Sequence, residues 1–238
     1  MEHTPPNSAA KFDASRAGEY GRQSRIALAG YEACHELAAC VLAASLGNNL
    51  PAHILVVGVG GTAQEIISLS ALEPTWRFVA VDPSPPMLDT AAEHLKANGL
   101  LERTQLLLGT VDDLPADATY DAATLIGVLH HVPGDEPKMN LLRSIQTRLK
   151  SGAPLIVAAN HYAYASQPFL LKVWGERWRQ QGATPDEVKA KLGKILQGAD
   201  PPHSEAAIQH LLHDAGFGDC LRFFSSLFWG AWVTYKAP

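Results

Sequence analysis

The residues best suited to chemistry in this sequence are three glycines, Gly58, Gly60 and Gly61, and one acid, Asp82. Glycine carries no Cβ, so closely spaced glycines let the backbone turn tightly and approach a ligand. A carboxylate at the end of the following strand can accept hydrogen bonds from both hydroxyls of a ribose. The acid follows the first glycine at close to the roughly 20 residues typical of nucleoside-binding units. The pattern favours a nucleoside site, and a tight strand–helix turn without a ligand is the alternative.

Histidines follow two of the later predicted strands, where a second substrate would meet a bound cofactor. A histidine with a pKa near neutrality can take a proton from a hydroxyl or an amine. We therefore predict His131 and His161 as candidate general bases and His130 as a substrate contact. Structural hydrogen bonds or polarity at a helix start are the alternative roles. His210 and His213 have the spacing of a metal pair, but no acid or cysteine set accompanies them, so we predict no metal site.

The elements that would position these residues form an alternating α/β chain. Strands buried on both faces of a parallel sheet are continuously apolar, and the strands flanking the glycines have this character. The seven predicted strands span residues 54–57, 78–82, 104–108, 120–126, 154–159, 220–225 and 228–235. Amphipathic helices between them are expected on both faces of the sheet. We predict a Rossmann-like, seven-stranded, mostly parallel sheet that ends in an antiparallel hairpin.

Two regions depart from this alternation. Residues 1–49 combine a disordered tail over about residues 1–12 with helical segments that precede the first strand, and residues 50–238 hold the sheet domain. Residues 163–202 form a helical insertion after the fifth strand, on the ligand side of the sheet, so we predict a substrate lid. A packing or dimer element is the alternative for this insertion. The N-terminal helices either cover one sheet edge or close over a ligand.

Composition narrows the class of protein. The chain has 238 residues, 47% hydrophobic content and a net charge of −5, which suits one domain with an insertion and does not favour a broad nucleic-acid-binding face. Three cysteines, Cys34, Cys40 and Cys220, lack the spacing of a disulfide framework or a zinc site and fit a reducing cytoplasm. We find no signal-peptide pattern at the N-terminus and no apolar run of the ~20 residues that span a bilayer. We expect a cytoplasmic protein.

By the order of its elements from about residue 50 onward, the chain resembles the class I S-adenosylmethionine-dependent methyltransferases. The sequences that carry the resemblance are Val-Gly-Val-Gly-Gly (57–61), Val-Asp-Pro-Ser (81–84), Gly-Thr-Val-Asp-Asp-Leu-Pro (109–115), Asp-Ala-Ala-Thr-Leu-Ile-Gly-Val-Leu-His-His-Val (121–132) and Gly-Ala-Trp-Val (230–233). In that family they are the first motif, the ribose-binding strand end, the adenine loop, the fourth motif and the final strand pair.

The resemblance implies a set of cofactor contacts. Gly58 and Gly60 would approach the methionine end of S-adenosylmethionine, and Asp82 would bind the ribose hydroxyls. The other implied cofactor contacts are Pro83 beside the adenine, Val111 with Thr110 or Asp112 at the adenine edge, Ile126 and Gly127 flanking the methionyl group, and Tyr31 covering it. The candidate substrate contacts are Tyr20, Arg25, His130, Tyr162 and Trp174.

The sequence departs from the family at three places, one of which is the glycine pattern: Gly-x-Gly-Gly-Thr (58–62) stands in place of Gly-x-Gly-x-Gly. Val56 stands where the family often has an acid, and Thr110 stands where an acid usually follows the third strand. Within the family, Ser-Arg-Ile-Ala-Leu-Ala-Gly-Tyr (24–31) and the C-terminal strands resemble the carboxy-S-adenosylmethionine synthases of tRNA wobble-uridine modification. Those enzymes grip the extra carboxylate with a lid arginine. Gly193 lies at that position here, between Lys191 and Lys194.

Three functions are therefore compared. The first, which we favour, is transfer of a methyl group from S-adenosylmethionine to an oxygen or nitrogen of a small molecule by a protein that is a monomer or a homodimer. The second is a carboxy-S-adenosylmethionine synthase. The third is an NAD-dependent oxidoreductase, because Gly58, Gly60 and Ala63 fit that fingerprint; no Tyr-x-x-x-Lys pair accompanies it. The sequence does not identify the acceptor.

Overall fold

The computed structural model describes residues 14–238, with side chains from residue 19 onward. The predicted tail over residues 1–12 lies outside the described residues. The strands of the described chain form one sheet in the order β3-β2-β1-β4-β5-β7-β6. Their bounds are β1 His53–Val57, β2 Arg77–Asp82, β3 Thr104–Leu108, β4 Ala122–Ile126, β5 Pro154–Asn160, β6 Leu221–Ser226 and β7 Trp229–Tyr235.

The α-helices of the described chain cover both faces of this sheet and extend over its carboxyl edge. Their bounds are α1 Ala14–Ala27, α2 Tyr31–Leu46, α3 Gln64–Leu72, α4 Pro85–Ala97, α5 Asp135–Arg148, α6 Pro168–Gln180, α7 Pro185–Gly198 and α8 Glu205–Asp214. Helices α1 and α2 precede the sheet, and α6 and α7 are inserted between β5 and α8.

The topology confirms the predicted fold class. Strands β1 to β5 pair in parallel, and β7 runs antiparallel between β5 and β6. The order reverses direction between β1 and β4, which places a crevice at their carboxyl ends, the usual ligand position in such sheets. Three predicted strands begin too early. Tyr120 makes an isolated bridge to Leu149, so β4 begins two residues later, at Ala122, and β6 and β7 each begin one residue later than predicted.

Two apolar layers hold the sheet between its helices. Because side chains alternate along a strand, Ile54 and Val56 pack under α2, α3 and α4, while Leu55 and Val57 pack under α5 and α8. All four side chains are buried. Burial of such side chains contributes roughly 1.5–3 kcal/mol each. The double-sided burial explains the continuously apolar sequence of β1.

None of the described helices alone is long and apolar enough to cross a bilayer. Glu19–Ala27 and Tyr31–Leu46 satisfy the length and composition criteria only as a pair, and they meet at a bend of 83°.

One ionisable side chain in the core lies next to the glycine loop. Glu65 is in the first turn of α3 and is buried. Burial raises the pKa of its carboxyl from 4.5 to about 8; the bond from its own backbone N–H opposes the shift, and the charge of Asp82 adds to it. At neutral pH the folded protein therefore holds Glu65 mainly as the neutral acid.

This protonation predicts a pH-dependent stability. Between about pH 4.5 and 8 the folded chain keeps a proton that the unfolded chain releases. The Glu65 contribution to the free energy of unfolding should therefore fall as pH rises through this window, by at most about 1.4 kcal/mol per pH unit. Urea unfolding at pH 5 to 9 should show that Glu65→Gln loses this slope, whereas the exposed control Glu36→Gln keeps it. A wild-type-minus-Gln difference that is flat with pH would contradict the assignment.

Candidate nucleoside-binding site

A cavity of about 90 Å³ opens at the carboxyl ends of β1, β2 and β4. The residues that line it are Tyr20, Gly58, Gly60, Asp82, Pro83, Met87, Ile126, Gly127, Val128, His131 and Val132. They come from α1, the loop after β1, the end of β2, α4 and the segment after β4, so no single element forms the cavity.

Asp82 is the last residue of β2 and is 7% exposed. Its Oδ2 accepts a hydrogen bond from the N–H of Gly60 at 3.0 Å, and its Oδ1 accepts one from the N–H of Ser84 at 2.9 Å. Burial raises the pKa of this carboxyl, and the two backbone donors offset only part of that shift. A carboxylate has about four acceptor sites, so a ligand in the cavity can still donate to it.

The glycine loop between β1 and α3 needs residues without side chains. Gly58 has φ 73°, and a Cβ there would lie 2.3 Å from Cγ2 of Val128. Gly60 has φ 57°, and a Cβ there would lie 2.9 Å from the hydroxyl oxygen of Tyr20. Both the left-handed backbone and the close neighbours therefore favour glycine. Gly58 and Gly60 both line the cavity.

The structure brings together part of the predicted site. Six of the predicted cofactor contacts line the cavity, namely Gly58, Gly60, Asp82, Pro83, Ile126 and Gly127. Two residues predicted for substrate or catalysis, Tyr20 and His131, line it as well. The other predicted residues do not line the cavity: Arg25, Tyr31, Thr110, Val111, Asp112, His130, His161, Tyr162 and Trp174.

Tyr31 and Arg25 form a layer behind the glycine loop. The hydroxyl of Tyr31 is 2.7 Å from Oγ1 of Thr62, and burial raises its pKa. The guanidinium of Arg25 lies over the Tyr31 ring, 4.8 Å from its centroid, and pairs with Glu32. In this arrangement both side chains support the N-terminal helices around the loop.

The predicted adenine loop begins after β3. Thr110 is exposed; its N–H and hydroxyl both donate to Oδ2 of Asp113, which closes a capping box. Oδ1 of Asp112 accepts a hydrogen bond from the hydroxyl of Ser144 at 2.6 Å. Val111 is buried beneath the loop. The Thr110 side chain is thus committed to the conformation of its own turn.

The three histidines have different surroundings. His131 is half-buried and lines the cavity, while His130 is buried with its ring edge against Trp229. Burial, and secondarily the neighbouring His131, lowers the pKa of His130 well below the ordinary value. His161 is buried with Nδ1 3.0 Å from the carbonyl oxygen of Phe228, and burial lowers its pKa too. Only His131 of the three contacts the cavity.

Sequence reasoning did not assign three cavity residues. Met87 was expected only on the core face of α4, yet it also lines the cavity. Val128 and Val132 flank the two histidines after β4 and complete the apolar wall. One signal could have identified Met87: it lies five residues after Asp82, in the first turn of α4, and therefore close to the end of β2. Apolar side chains give no chemical signal that separates a cavity wall from a core.

Metal binding has no structural support in the described part of the chain. No group of three or more His, Cys, Asp or Glu side chains there could hold a metal ion. His210 is exposed on α8, and His213 is exposed beside Asp214.

Residues 56–155 match the family model described as a methyltransferase domain. The chain is 31% identical over 131 residues to erythromycin 3''-O-methyltransferase of Saccharopolyspora erythraea, a match covering 54% of this chain and 41% of that protein. The chain therefore spans less than half the length of this curated relative.

Two solved structures share the fold. A putative O-methyltransferase from Nostoc punctiforme superposes with a TM-score of 0.66 at 18% identity, covering 94% of this chain and 60% of that one. Human N-acetylserotonin methyltransferase, solved in complex with S-adenosylmethionine, superposes with a TM-score of 0.66 at 16% identity, covering all of this chain and 61% of that one. Residues 56–155 therefore have the sequence of a methyltransferase domain, and the chain has the fold of these two solved structures.

Proposed function

We propose that this protein transfers a methyl group from S-adenosylmethionine to a small-molecule acceptor, at an oxygen or nitrogen atom. The observation that carries the proposal is the Asp82 carboxylate, held by the N–H groups of Gly60 and Ser84 on the wall of the cavity. Two of the three relatives described above are named O-methyltransferases, which favours oxygen as the acceptor atom.

The residues around the cavity suit an adenosyl cofactor. Asp82 offers unused acceptor sites to ribose hydroxyls, and Gly58 and Gly60 line the cavity beside it. Pro83 and Met87 give an apolar surface beside the strand end, suited to a flat base. Ile126 and Gly127, at the end of β4, also line the cavity, and we assign them to the methionyl part.

Transfer from a sulfonium needs position more than an elaborate catalytic group. When bound, S-adenosylmethionine supplies an electrophilic methyl group and a good leaving group. The chain's own task is to hold the acceptor in line, to exclude water and, for a hydroxyl acceptor, to take a proton. We assign the proton to His131, because it contacts the cavity, and we assign substrate contact to Tyr20. Buried His130 and His161 are better suited to structural hydrogen bonding.

The remaining predicted assignments belong to the same proposal. Residues 50–238 would form the catalytic domain, with residues 163–202 as its lid and residues 1–49 as a further cover. We place the protein in the cytoplasm and expect no nucleic-acid or membrane partner; homodimer formation stays a prediction. Arg25, Tyr31, Tyr162 and Trp174 would act from the cover, and Thr110, Val111 and Asp112 at the adenine edge.

Neither alternative function is favoured. In the carboxy-S-adenosylmethionine synthases a lid arginine grips the extra carboxylate, and Gly193 stands at that position here. No atom of the described residues lies within 4 Å of the point that a Cβ of residue 193 would occupy. The amine of Lys191 donates to Oε1 of Gln23 and lies over the Trp178 ring, so it is directed to the helices. An NAD-dependent oxidoreductase is not favoured by the methyltransferase-domain match over residues 56–155.

The proposed function is tested by binding and transfer together. Titration calorimetry should show binding of S-adenosylmethionine and S-adenosylhomocysteine but not of NAD. A panel of phenols, sugar hydroxyls and amines incubated with methyl-labelled S-adenosylmethionine should yield at least one labelled product. Mass spectrometry of ligand released from the purified protein would detect a carboxylated cofactor by its mass. Binding of NAD without binding of either sulfur nucleoside would reverse the assignment.

The role of Asp82 gives a second prediction. Asp82→Asn keeps the shape of the side chain but loses the charge that strengthens bonds from the ribose hydroxyls. S-adenosylhomocysteine binding should weaken by roughly 2 kcal/mol, or about 30-fold. Because the pKa of Asp82 is raised, wild-type affinity should also fall as pH drops towards the acid range, and the variant should lose that dependence. The exposed control Asp89→Asn, on α4, should bind as wild type does; equal affinities for all three proteins would remove Asp82 from the ribose role.

The assignment of the base gives a third prediction. With an acceptor in hand, His131→Gln should lower kcat by about 10²- to 10⁴-fold for a hydroxyl acceptor, since proton transfer contributes on that scale. S-adenosylhomocysteine affinity should change less than about twofold, because no cofactor contact is assigned to His131. His161→Gln serves as the comparison and should affect thermal stability more than kcat. Equal losses of kcat in both variants would exclude a specific role for His131.

A further inference from the structure

Helix α1 lies between the lid and the glycine loop. On one side, the ring of Tyr20 contacts Gly60 and lines the cavity. Gly21 backs onto the same loop, since a Cβ there would lie 3.4 Å from Cγ2 of Thr62. The described part of α1 therefore forms part of the cover over the candidate cofactor site.

The other end of α1 is bonded to the lid helix α6. Arg177 donates from Nε to the carbonyl of Ile26 at 2.9 Å and from Nη2 to the carbonyl of Arg25 at 3.0 Å. Trp174 donates from Nε1 to the carbonyl of Ala27 at 2.8 Å. The last three carbonyls of α1 thus each accept a bond from a side chain of α6.

These bonds provide partners for the backbone carbonyls at the C-terminal end of α1. The final carbonyls of a helix have no partner within the helix and carry the negative end of its dipole, so a cation placed there is stabilising. Arg177 is half-buried and offers two charge-assisted bonds at once, as a guanidinium fork can. Without Arg177 these two carbonyls would have no protein partner, and water, which reaches them only in part, would not fully replace it.

The lid side of this junction is firmly packed. Trp174 is 2% exposed, and its ring lies 5.1 Å from that of Phe228 and 6.0 Å from that of Tyr164. The pairings of Arg22 with the Gln181 carbonyl and of Lys191 with Gln23 add contacts nearer the surface. Exposed polar pairs of this kind contribute little, so we assign the connection mainly to Arg177 and Trp174.

We propose that α1 and α6 move as one cover and that Arg177 is the positioning residue that holds Tyr20 over the cofactor. This inference rests on the proposed function for the identity of the ligand. Tyr20 is seven residues before Ala27, or about 10 Å along a rigid helix, so fixing one end of α1 fixes the aromatic ring at the other. Ligand exchange then requires the α1–α6 unit to lift from the loop that contains Gly60.

The test uses the full chain with S-adenosylhomocysteine as the probe. Arg177→Met removes the guanidinium but keeps much of the apolar stem. We expect its dissociation constant to rise about tenfold, mostly through faster release. Arg179→Met is the matched control, because Arg179 is exposed on the same helix and pairs only within it, with Glu176. The control should bind as wild type does.

A double-mutant cycle separates positioning from a general loss of stability. If Arg177 acts through Tyr20, then Arg177→Met should change affinity less than about twofold in a Tyr20→Ala background. Hydrogen exchange without ligand should also quicken in residues 19–27 of Arg177→Met, with β4 and β5 unchanged. Equal effects of Arg177→Met in both backgrounds, or equal affinities of the Met variants at positions 177 and 179, would overturn the proposal.

Wild-type binding is measured first and keeps the two proposals distinguishable. If wild type fails to bind S-adenosylhomocysteine, the proposed function fails and the cover proposal falls with it. If wild type binds and the cycle shows no coupling, only the cover proposal fails.

Discussion

The site depends on one carboxylate, that of Asp82, which accepts hydrogen bonds from two separate backbone segments. Asp82 accepts hydrogen bonds from the loop after β1 and from the first turn region of α4, so it ties together the backbone segments on either side of the cavity. Both donors come from chain that leaves a strand, where backbone N–H groups have no partner within the sheet. The same side chain that satisfies them faces the cavity. Formation of the loop and formation of the ligand site are therefore a single event, and glycine is needed because the loop approaches its neighbours too closely for a Cβ.

Above the glycine loop and Asp82, which we call the floor of the cavity, the helices provide a cover with different contacts. These are aromatic packing, helix-end capping and the ion pair of a buried lysine with a half-exposed aspartate. Lys138, 1% exposed in its side chain, pairs with Asp200 at 2.9 Å, and Asp200 also accepts from the N–H of Gly134. The backbone N–H of Asp200 donates to the carbonyl of His130. The end of the lid is thereby joined to the segment after β4 that carries His131, so the roof and one wall of the cavity share a support.

The sequence predicted the β-loop-α-β unit beneath the cavity more closely than the contacts of the cover, for a physical reason. Gly58, Gly60 and Asp82 belong to one local β-loop-α-β unit. Its strands, helix and glycine turn are determined by residues that are close in sequence, so a local pattern predicts them. The seven strands followed from the same local signals, with an error of two residues at the start of β4. Arg25 and Trp174 were expected to meet a substrate, but the structure places them in contacts between helices. Their residue types predicted that they would make specific contacts. Which partners they contact is determined by packing between distant parts of the chain, which no local sequence pattern encodes.

This division has a consequence for how the chain could acquire specificity. Under the proposed function, the carboxylate of Asp82, the glycine backbone and the strand end must keep their relative positions, because each would contact the part of the cofactor that does not change between reactions. The cover has fewer constraints: helix-end capping by Arg177 needs a cation near two carbonyls, and aromatic packing around Trp174 tolerates changes of shape that conserve volume. Under the proposed function, substitutions in the cover that keep the Arg177 bonds and the Tyr20 ring can alter acceptor contacts while leaving cofactor binding intact. Selectivity for the acceptor, in this view, is determined by the elements joined through the α1–α6 junction rather than by the sheet.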